Sequence, residues 1–337
     1  MIRETIDTLV AGRSLDFQEA STVMGEIMEG EATPAQLGAF LTALRLKGET
    51  AQEIAGMATV MRQKALRVEV EGPLVDSVGT GGDGKNTFNI STAAAFVAAG
   101  AGLKVAKHGN RAASGTCGAA DVLEALGVKL ELSPAAVGRC IERVGIGFMF
   151  APSFHPAMRH AGPVRREIGI RTVFNILGPL TNPANAQSQL LGVADPNLGE
   201  TMAQVMNLLG ADHVLVVHGH GGLDELSLSG ENSVWELRGG QVRRWALDPA
   251  ETGLPPCSVD DIAGGTKEEN AETMRRLFTG EKGPVRDTVL LNSAGVLMAG
   301  GKVDDIGNGV QAAAEIIDGG GALKKLDALV ELSQSLE

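Results

Sequence analysis

The run GTGGDGKNT, from Gly79 to Thr87, gathers glycines, hydroxyls, an acid and a lysine within one short turn. Glycines let backbone N–H groups approach an anion closely, and a helix starting just beyond adds partial positive charge. The spacing satisfies two unrelated phosphate motifs. Gly79, Gly81 and Gly84 match a dinucleotide fingerprint. Gly79, Gly84 and Lys85 match a P-loop as far as Asn86, where Ser or Thr should bind magnesium. Neither motif completes itself. No Asp or Glu lies between Gly84 and Ala120 to hold ribose hydroxyls, and Thr87 is out of register for a metal-binding hydroxyl.

The acid-free stretch instead carries Lys85, Lys104, Lys107 and Arg111, a local +4 in a chain whose net charge is −12. Within it, a second turn rich in glycine and hydroxyls, Lys107 to Thr116, follows the second strand and leads into another helix. Two such turns on adjacent strands predict one concentrated anion pocket, suited to a small ligand with several phosphates. Lys104 also reads well as a solvated lysine, whereas Lys107 sits at a strand's end. Of the other reactive residues, Asp224-Glu225 alone reads as a solvated loop pair. His218 and His220 have no third ligand nearby, and Cys117 has no local base to activate it.

Positioning these turns requires strands that end at them. Residues 1 to about 65 read as successive helices, with Phe17 to Met28 in one, Thr33-Pro34 starting another and Thr50 capping a third. The pattern changes at Glu71-Gly72-Pro73. Beyond it, LVDSV (74–78), LKVAKHG (103–109), LLGVAD (190–195) and HVLVVHG (213–219) read as buried strands. Between them, 91–102, 119–128, 133–145 and 200–210 read as helices, and two more follow Asp304. The expected fold is α/β: a small N-terminal helical domain (1–70) plus a larger domain (71–337) with a mostly parallel central sheet flanked by helices. Such a sheet places its site at the strand C-termini. A return segment near 165–185 is expected to pack with the helical domain.

Composition removes several classes. The chain has 337 residues, 44% hydrophobic and 21% charged, which suits about two globular domains and excludes disorder. The longest apolar run, Ala93 to Leu103, is about half of what a membrane helix needs. The N-terminus lacks a signal-peptide core, and three cysteines without a CxxC indicate neither disulfides nor zinc. Net −12, 3% aromatic residues and no tyrosine argue against nucleic acid. A cytoplasmic enzyme is the expectation.

Four segments, GTGGDGKNTFNIST (79–92), KHGNRAASGTCGAADVLEALG (107–127), VRREIGIRTVFNILGPLTNP (164–183) and GLDELS (222–227), together resemble the anthranilate phosphoribosyltransferase family. The similarity covers nearly the whole chain in the family's order and spacing. It implies transfer of phosphoribosyl from phosphoribosyl pyrophosphate to the amine of anthranilate, on the way to tryptophan. It also implies a nucleoside phosphorylase/phosphoribosyltransferase-like fold, two magnesium ions (Mg2+) per monomer and a homodimer.

Carried over by residue, the resemblance has Gly79, Gly82, Asp83 and Thr87 wrapping the diphosphate, with Asn89, Ile90, Ser91 and Thr92 at the helix beyond. Lys107, His108, Gly109, Asn110, Arg111, Ala112, Ala113, Ser114, Gly115 and Ala119 would hold phosphate and ribose oxygens. Ser91, Asp224 and Glu225 would hold metal. Gly79, His108, Asn110, Arg165 and Pro179 would contact anthranilate, Arg165 as a planar cation for its carboxylate. An aromatic amine keeps its lone pair at neutral pH, so no general base is expected. Departures from the pattern are the Cys117-Gly118-Ala119 segment, where serines are common, and Gly221 in place of an acid. Two other readings stay open: a pyrimidine nucleoside phosphorylase-like enzyme, which would use phosphate without an acid pair, and a non-catalytic nucleic-acid-binding relative of the fold.

Overall fold

The computed structural model describes residues 1–112 and 115–336. Four helices open the chain: α1 (Ile2–Val10), α2 (Phe17–Glu29), α3 (Pro34–Lys47) and α4 (Ala51–Lys64). Asp16, Thr33 and Thr50 each accept a backbone N–H of the first turn, while Glu19, Gln36 and Glu53 reach back to the cap. Each box satisfies two donors that a helix start otherwise leaves orphaned. Thr33-Pro34 and Thr50 therefore start helices where the sequence places them.

The chain then alternates: β1 (Val75–Gly79), α5 (Ile90–Gly100), β2 (Val105–Gly109), α6 (Ala119–Ala125), α7 (Pro134–Val144) and β3 (Ile146–Phe150). Short helices α8 (Ala151–Phe154), α9 (Gly162–Ile168) and α10 (Phe174–Leu177) lead to β4 (Ser188–Gly192), α11 (Gly199–Leu208) and β5 (His213–His218). The strands stand in the order β3-β2-β1-β4-β5, all parallel. Connections leave β1 towards β2 on one side, and β4 lies on the other. The C-terminal ends of β1 and β4 thus flank a topological switch point, where open α/β sheets bind ligands. Gly79 and Gly192 pair in register there.

Two features escape the sequence reading. The run Ile146–Phe150 is a strand buried along its whole length. A hairpin, β6 (Asn232–Arg238) and β7 (Gln241–Leu247), adds antiparallel to β5. Its turn, Gly239-Gly240, has φ of 59° and 76°, the double positive φ that a two-residue hairpin requires. Helices α12 (Lys267–Phe278), α13 (Pro284–Ala299), α14 (Ile306–Asp318) and α15 (Gly321–Ser335) complete the fold.

Two apolar cores form. One holds α5, α7 and α13 to α15 with β1, β2 and β3. The Ala-rich α5 is buried from Ala93 to Ala99, its small side chains letting α13 and α15 approach closely. The other joins Phe40, Leu41, Ile54 and Met57 of the N-terminal helices to Val164, Phe174, Leu177 and Leu180, and to Leu191, Val214 and Trp235 of the sheet. Arg62 on α4 donates to Leu180 O at 2.7 Å and Asn185 Oδ1 at 2.8 Å. No helix among the described residues is long and apolar enough to cross a membrane.

Candidate active site

Strand β1 runs out at Gly79 into a turn whose Gly81, Gly82, Gly84 and Asn86 all have positive φ. The Thr80 N–H still bonds Gly192 O across to β4, and the next N–H has an acidic acceptor: Gly81 N donates to Asp224 Oδ2 at 2.6 Å. Asp224 fills the space that side chains would occupy at the paired strand ends. A Cβ at Gly79 would strike its carboxylate, and one at Gly192 would strike its carbonyl. The next residue, Glu225, accepts the Ser91 N–H at 3.1 Å, at the start of α5. The acid pair is thus wedged between the glycine turn, the end of β4 and a helix N-terminus. Both residues are half-buried and tied to backbone N–H groups, not the freely solvated loop pair expected.

Burial governs their charge. It pushes Asp224 up to about 7, with the nearby Asp83 carboxylate adding to the rise. It pushes Glu225 up to about 8, with Asp224 as second cause and Lys107 opposing. Lys107 is itself buried, donating to Ser77 O at 2.6 Å and lying 3.5 Å from Ser91 Oγ. Burial lowers its pKa, while Asp76 and Glu225 hold it up. Two half-buried carboxylates reluctant to ionise alone, next to a hydroxyl, make a donor set for a hard divalent cation. Among the described residues no group of three or more His, Cys, Asp or Glu is placed to hold a metal ion by itself. A cation here would complete its shell from a ligand's oxygens and water, which suits magnesium.

Asp76, the second residue of β1, is not singled out by its sequence. Its Oδ1 accepts the Ser77 N–H and its Oδ2 accepts Asn182 Nδ2, each at 2.7 Å. Asn182 also donates to Ala106 O at 2.8 Å, tying β1, β2 and the 162–185 segment together. A charged residue inside an otherwise apolar strand was the available signal.

The second turn lies against the first. Asn89 donates to Cys117 O at 3.0 Å and accepts from Asn270 of α12 at 3.0 Å. A Cβ at Gly115 would come within 3.1 Å of Asn86 Oδ1. Thr87 bridges to Ala263, and Thr116 donates to Gly265 O, so the 262–270 segment braces both turns. Ile90 and Thr92 are buried in the first turn of α5. Gly109 faces Phe148 and Ala119, and Gly118 packs against the Ala112 N–H. Ala113 and Ser114 lie outside the described residues.

The expected pool of four free cations needs correction. Arg111 pairs with Asp121 and Glu124 at 2.9 and 2.8 Å and lies over the Phe150 ring. Lys104 pairs with Glu142 at 2.7 Å and donates to Glu71 O. Acids just beyond the acid-free stretch neutralise Arg111, and the more distant Glu142 of α7 neutralises Lys104. The anion-facing charge therefore comes down to Lys85, Lys107 and backbone donors.

The residues expected to meet anthranilate gather around a different wall. His108 Nδ1 lies 3.3 Å from Gly178 O, next to Pro179, and its ring centroid is 5.1 Å from that of His155. Burial keeps both rings neutral, down to about 3 for His108 and about 4 for His155. The Nε2 atom of each is buried and unpartnered among the described residues. Asn110 is exposed and accepts the Arg111 N–H. Arg165 on α9 is half-buried, its guanidinium 5.0 Å from the Phe174 ring centroid.

A cleft of about 410 Å³ opens between the glycine turn and the helical domain. Gly82, Asp83 and Lys85 line one side, Arg45 and Glu49 near the N-terminal helices another, and Arg171, Thr172, Asn175 and Ile176 a third. None of His108, Asn110, Arg165 and Pro179 lines it. Arg171, which the sequence reading passed over, reaches from this wall to the carbonyls of Gly81 and Gly82.

Comparison with known proteins agrees over the full length. The glycosyl transferase family's helical bundle domain matches residues 3–65, and its a/b domain matches residues 71–323. The anthranilate phosphoribosyltransferase of Dehalococcoides mccartyi is 58% identical over 338 residues, covering 100% of this chain and 99% of that protein. The crystal structure of the Thermus thermophilus enzyme of that name superposes with a TM-score of 0.93 at 48% identity, over 98% of this chain and 99% of that one. The Saccharomyces cerevisiae enzyme in complex with phosphoribosyl pyrophosphate and magnesium gives 0.92 at 30% identity, over 99% and 98%. Another structure of the yeast enzyme holds 4-fluoroanthranilate.

Proposed function

The chain belongs to the anthranilate phosphoribosyltransferase family, and from that membership we propose how its own residues divide the work. The reaction transfers phosphoribosyl from phosphoribosyl pyrophosphate to the amine of anthranilate, releasing pyrophosphate, in tryptophan biosynthesis. Its barrier lies in the negative charge leaving with the diphosphate and the positive charge growing on the ribose. Fixed donors aimed at the leaving group lower that barrier most.

The turn from Gly79 to Thr87 and the start of α5 present those donors. Lys107, His108 and Gly109 of β2 and the turn from Asn110 to Gly115 hold phosphate and ribose oxygens. Asp224, Glu225 and Ser91 hold magnesium, which when bound supplies positive charge to the leaving diphosphate. We assign two ions per monomer, a homodimer and a cytoplasmic site of action. Residues 1–70 form one domain, with 165–185 packed on it, and 71–337 the other.

Arg165 binds the anthranilate carboxylate, with His108, Asn110 and Pro179 beside the ring. The neutral His108 adds no charge to the wall facing an aromatic ring. The amine needs no base, so the chain's contribution is alignment of two bound substrates. A phosphorylase would have no use for the carboxylate pair.

One observation carries this reading: the half-buried Asp224–Glu225 pair joins the glycine turn to the helix that follows it. The test is loss of anthranilate fluorescence on mixing with the purified chain. Loss that requires both phosphoribosyl pyrophosphate and magnesium supports it. Loss with either omitted, or none with both present, overturns it.

A further inference from the structure

The N–H groups of Gly82, Asp83 and Gly84 have no acceptor among the described residues, whereas carbonyls on the same turn are taken. Arg171 Nη1 donates to Gly82 O at 2.6 Å and Nη2 to Gly81 O at 3.2 Å. The fit is mutual, because a Cβ at Gly82 would land on this guanidinium. The turn is therefore held at two points: Asp224 takes the Gly81 N–H, and Arg171 takes the two carbonyls that follow. A diphosphate entering the turn is attracted by free N–H groups and repelled by free carbonyl oxygens. A guanidinium fork answers both needs, since it neutralises two acceptors in one fixed geometry.

We propose that Arg171 is a positioning residue for the diphosphate, acting through the carbonyls of Gly81 and Gly82 to present the N–H groups of Gly82 to Gly84. This rests on the reading that the turn holds the diphosphate. It assigns Arg171 a task distinct from that of Arg165, which lies on the same segment and faces the other substrate. Arg171 is exposed, so its removal leaves no buried polar group uncompensated.

The experiment compares the native chain with R171A and R171K in steady-state kinetics, and follows hydrogen exchange of the 80–87 amides with phosphoribosyl pyrophosphate and magnesium added. Losing two hydrogen bonds from a charged donor predicts a rise of about 10- to 100-fold in KM for phosphoribosyl pyrophosphate in R171A. KM for anthranilate stays within about twofold, and the ligand slows exchange of the turn less than in the native chain. R171K recovers little, because an ammonium meets one carbonyl as a point charge. An unchanged KM for phosphoribosyl pyrophosphate in R171A overturns the proposal. Full recovery in R171K with native protection of the turn also overturns it, since charge alone would then suffice. If the ligand leaves exchange of 80–87 unaltered in the native chain, the underlying reading of the turn fails instead.

Discussion

Replacing Gly79 by alanine tests the acid pair through a residue that carries no charge. The Gly79 φ is not positive, so alanine adds no backbone strain there. Its Cβ, however, would collide with Asp224 Oδ2 and lie 2.8 Å from Asp224 Cγ and 3.0 Å from its carbonyl oxygen. The carbonyl belongs to backbone and cannot turn aside, so the carboxylate must, giving up the 2.6 Å bond from Gly81 N. A hydrogen bond to a charged acceptor is worth about 1.5–3 kcal/mol, and overpacking adds about 1–3 kcal/mol. Partial relaxation leaves the metal-binding carboxylate misplaced by at least about 1.4 kcal/mol, or tenfold. The assay is initial rate of anthranilate fluorescence loss against magnesium concentration, at saturating phosphoribosyl pyrophosphate. We expect Gly79→Ala to raise the half-saturating magnesium concentration about tenfold and lower the thermal midpoint by about 2–6 °C. Gly12→Ala, just beyond α1, is the control: it strains a positive φ but meets nothing within 4 Å and lies outside the glycine turn, so its magnesium requirement stays native. An unchanged magnesium requirement in Gly79→Ala would refute the placement of Asp224.

Arg165→Ala should raise KM for anthranilate by about 10- to 100-fold, as expected for a lost charged hydrogen-bonding partner, with little change for phosphoribosyl pyrophosphate. Equal effects on the two substrates would contradict the carboxylate role. Lys107→Ala should raise KM for phosphoribosyl pyrophosphate, and it should destabilise by about 3–5 kcal/mol because the buried Asp76 loses its counter-charge; a native thermal midpoint would count against it. His108 and His155 stay neutral down to about 3 and about 4, while the unfolded chain protonates them near ~6.5. The unfolded state therefore binds more protons below that pH, and stability falls on acidification from about pH 6.5 towards 4, by about 2 kcal/mol per ring at pH 5. His155→Leu should remove part of that fall in thermal midpoint between pH 8 and pH 5; an undiminished fall would contradict it.

Local signals were legible. Thr33-Pro34 and Thr50 started their helices, and strand ends fell at the glycine turns, because caps and turns depend on neighbours in sequence. What the sequence hid lies in contacts between distant segments. Nothing near Gly79 or Gly192 reveals that both glycines make room for Asp224, more than thirty residues beyond the nearer one. Arg171 lies inside the 164–183 segment, but its value depends on two carbonyls about ninety residues earlier. The Arg111 error was avoidable. Asp121 and Glu124 stand just past the acid-free stretch, on α6, and return their charge to it. The hairpin β6–β7 carried its own signal in Gly239-Gly240 between alternating strands.

The most direct measurement is a crystal structure of this chain with phosphoribosyl pyrophosphate and manganese in place of magnesium, read by anomalous scattering. The account predicts manganese against the Asp224 and Glu225 carboxylates, and diphosphate oxygens on the N–H groups of Gly82 to Gly84. Manganese bound away from both carboxylates, or a diphosphate lodged outside the glycine turn, would contradict it.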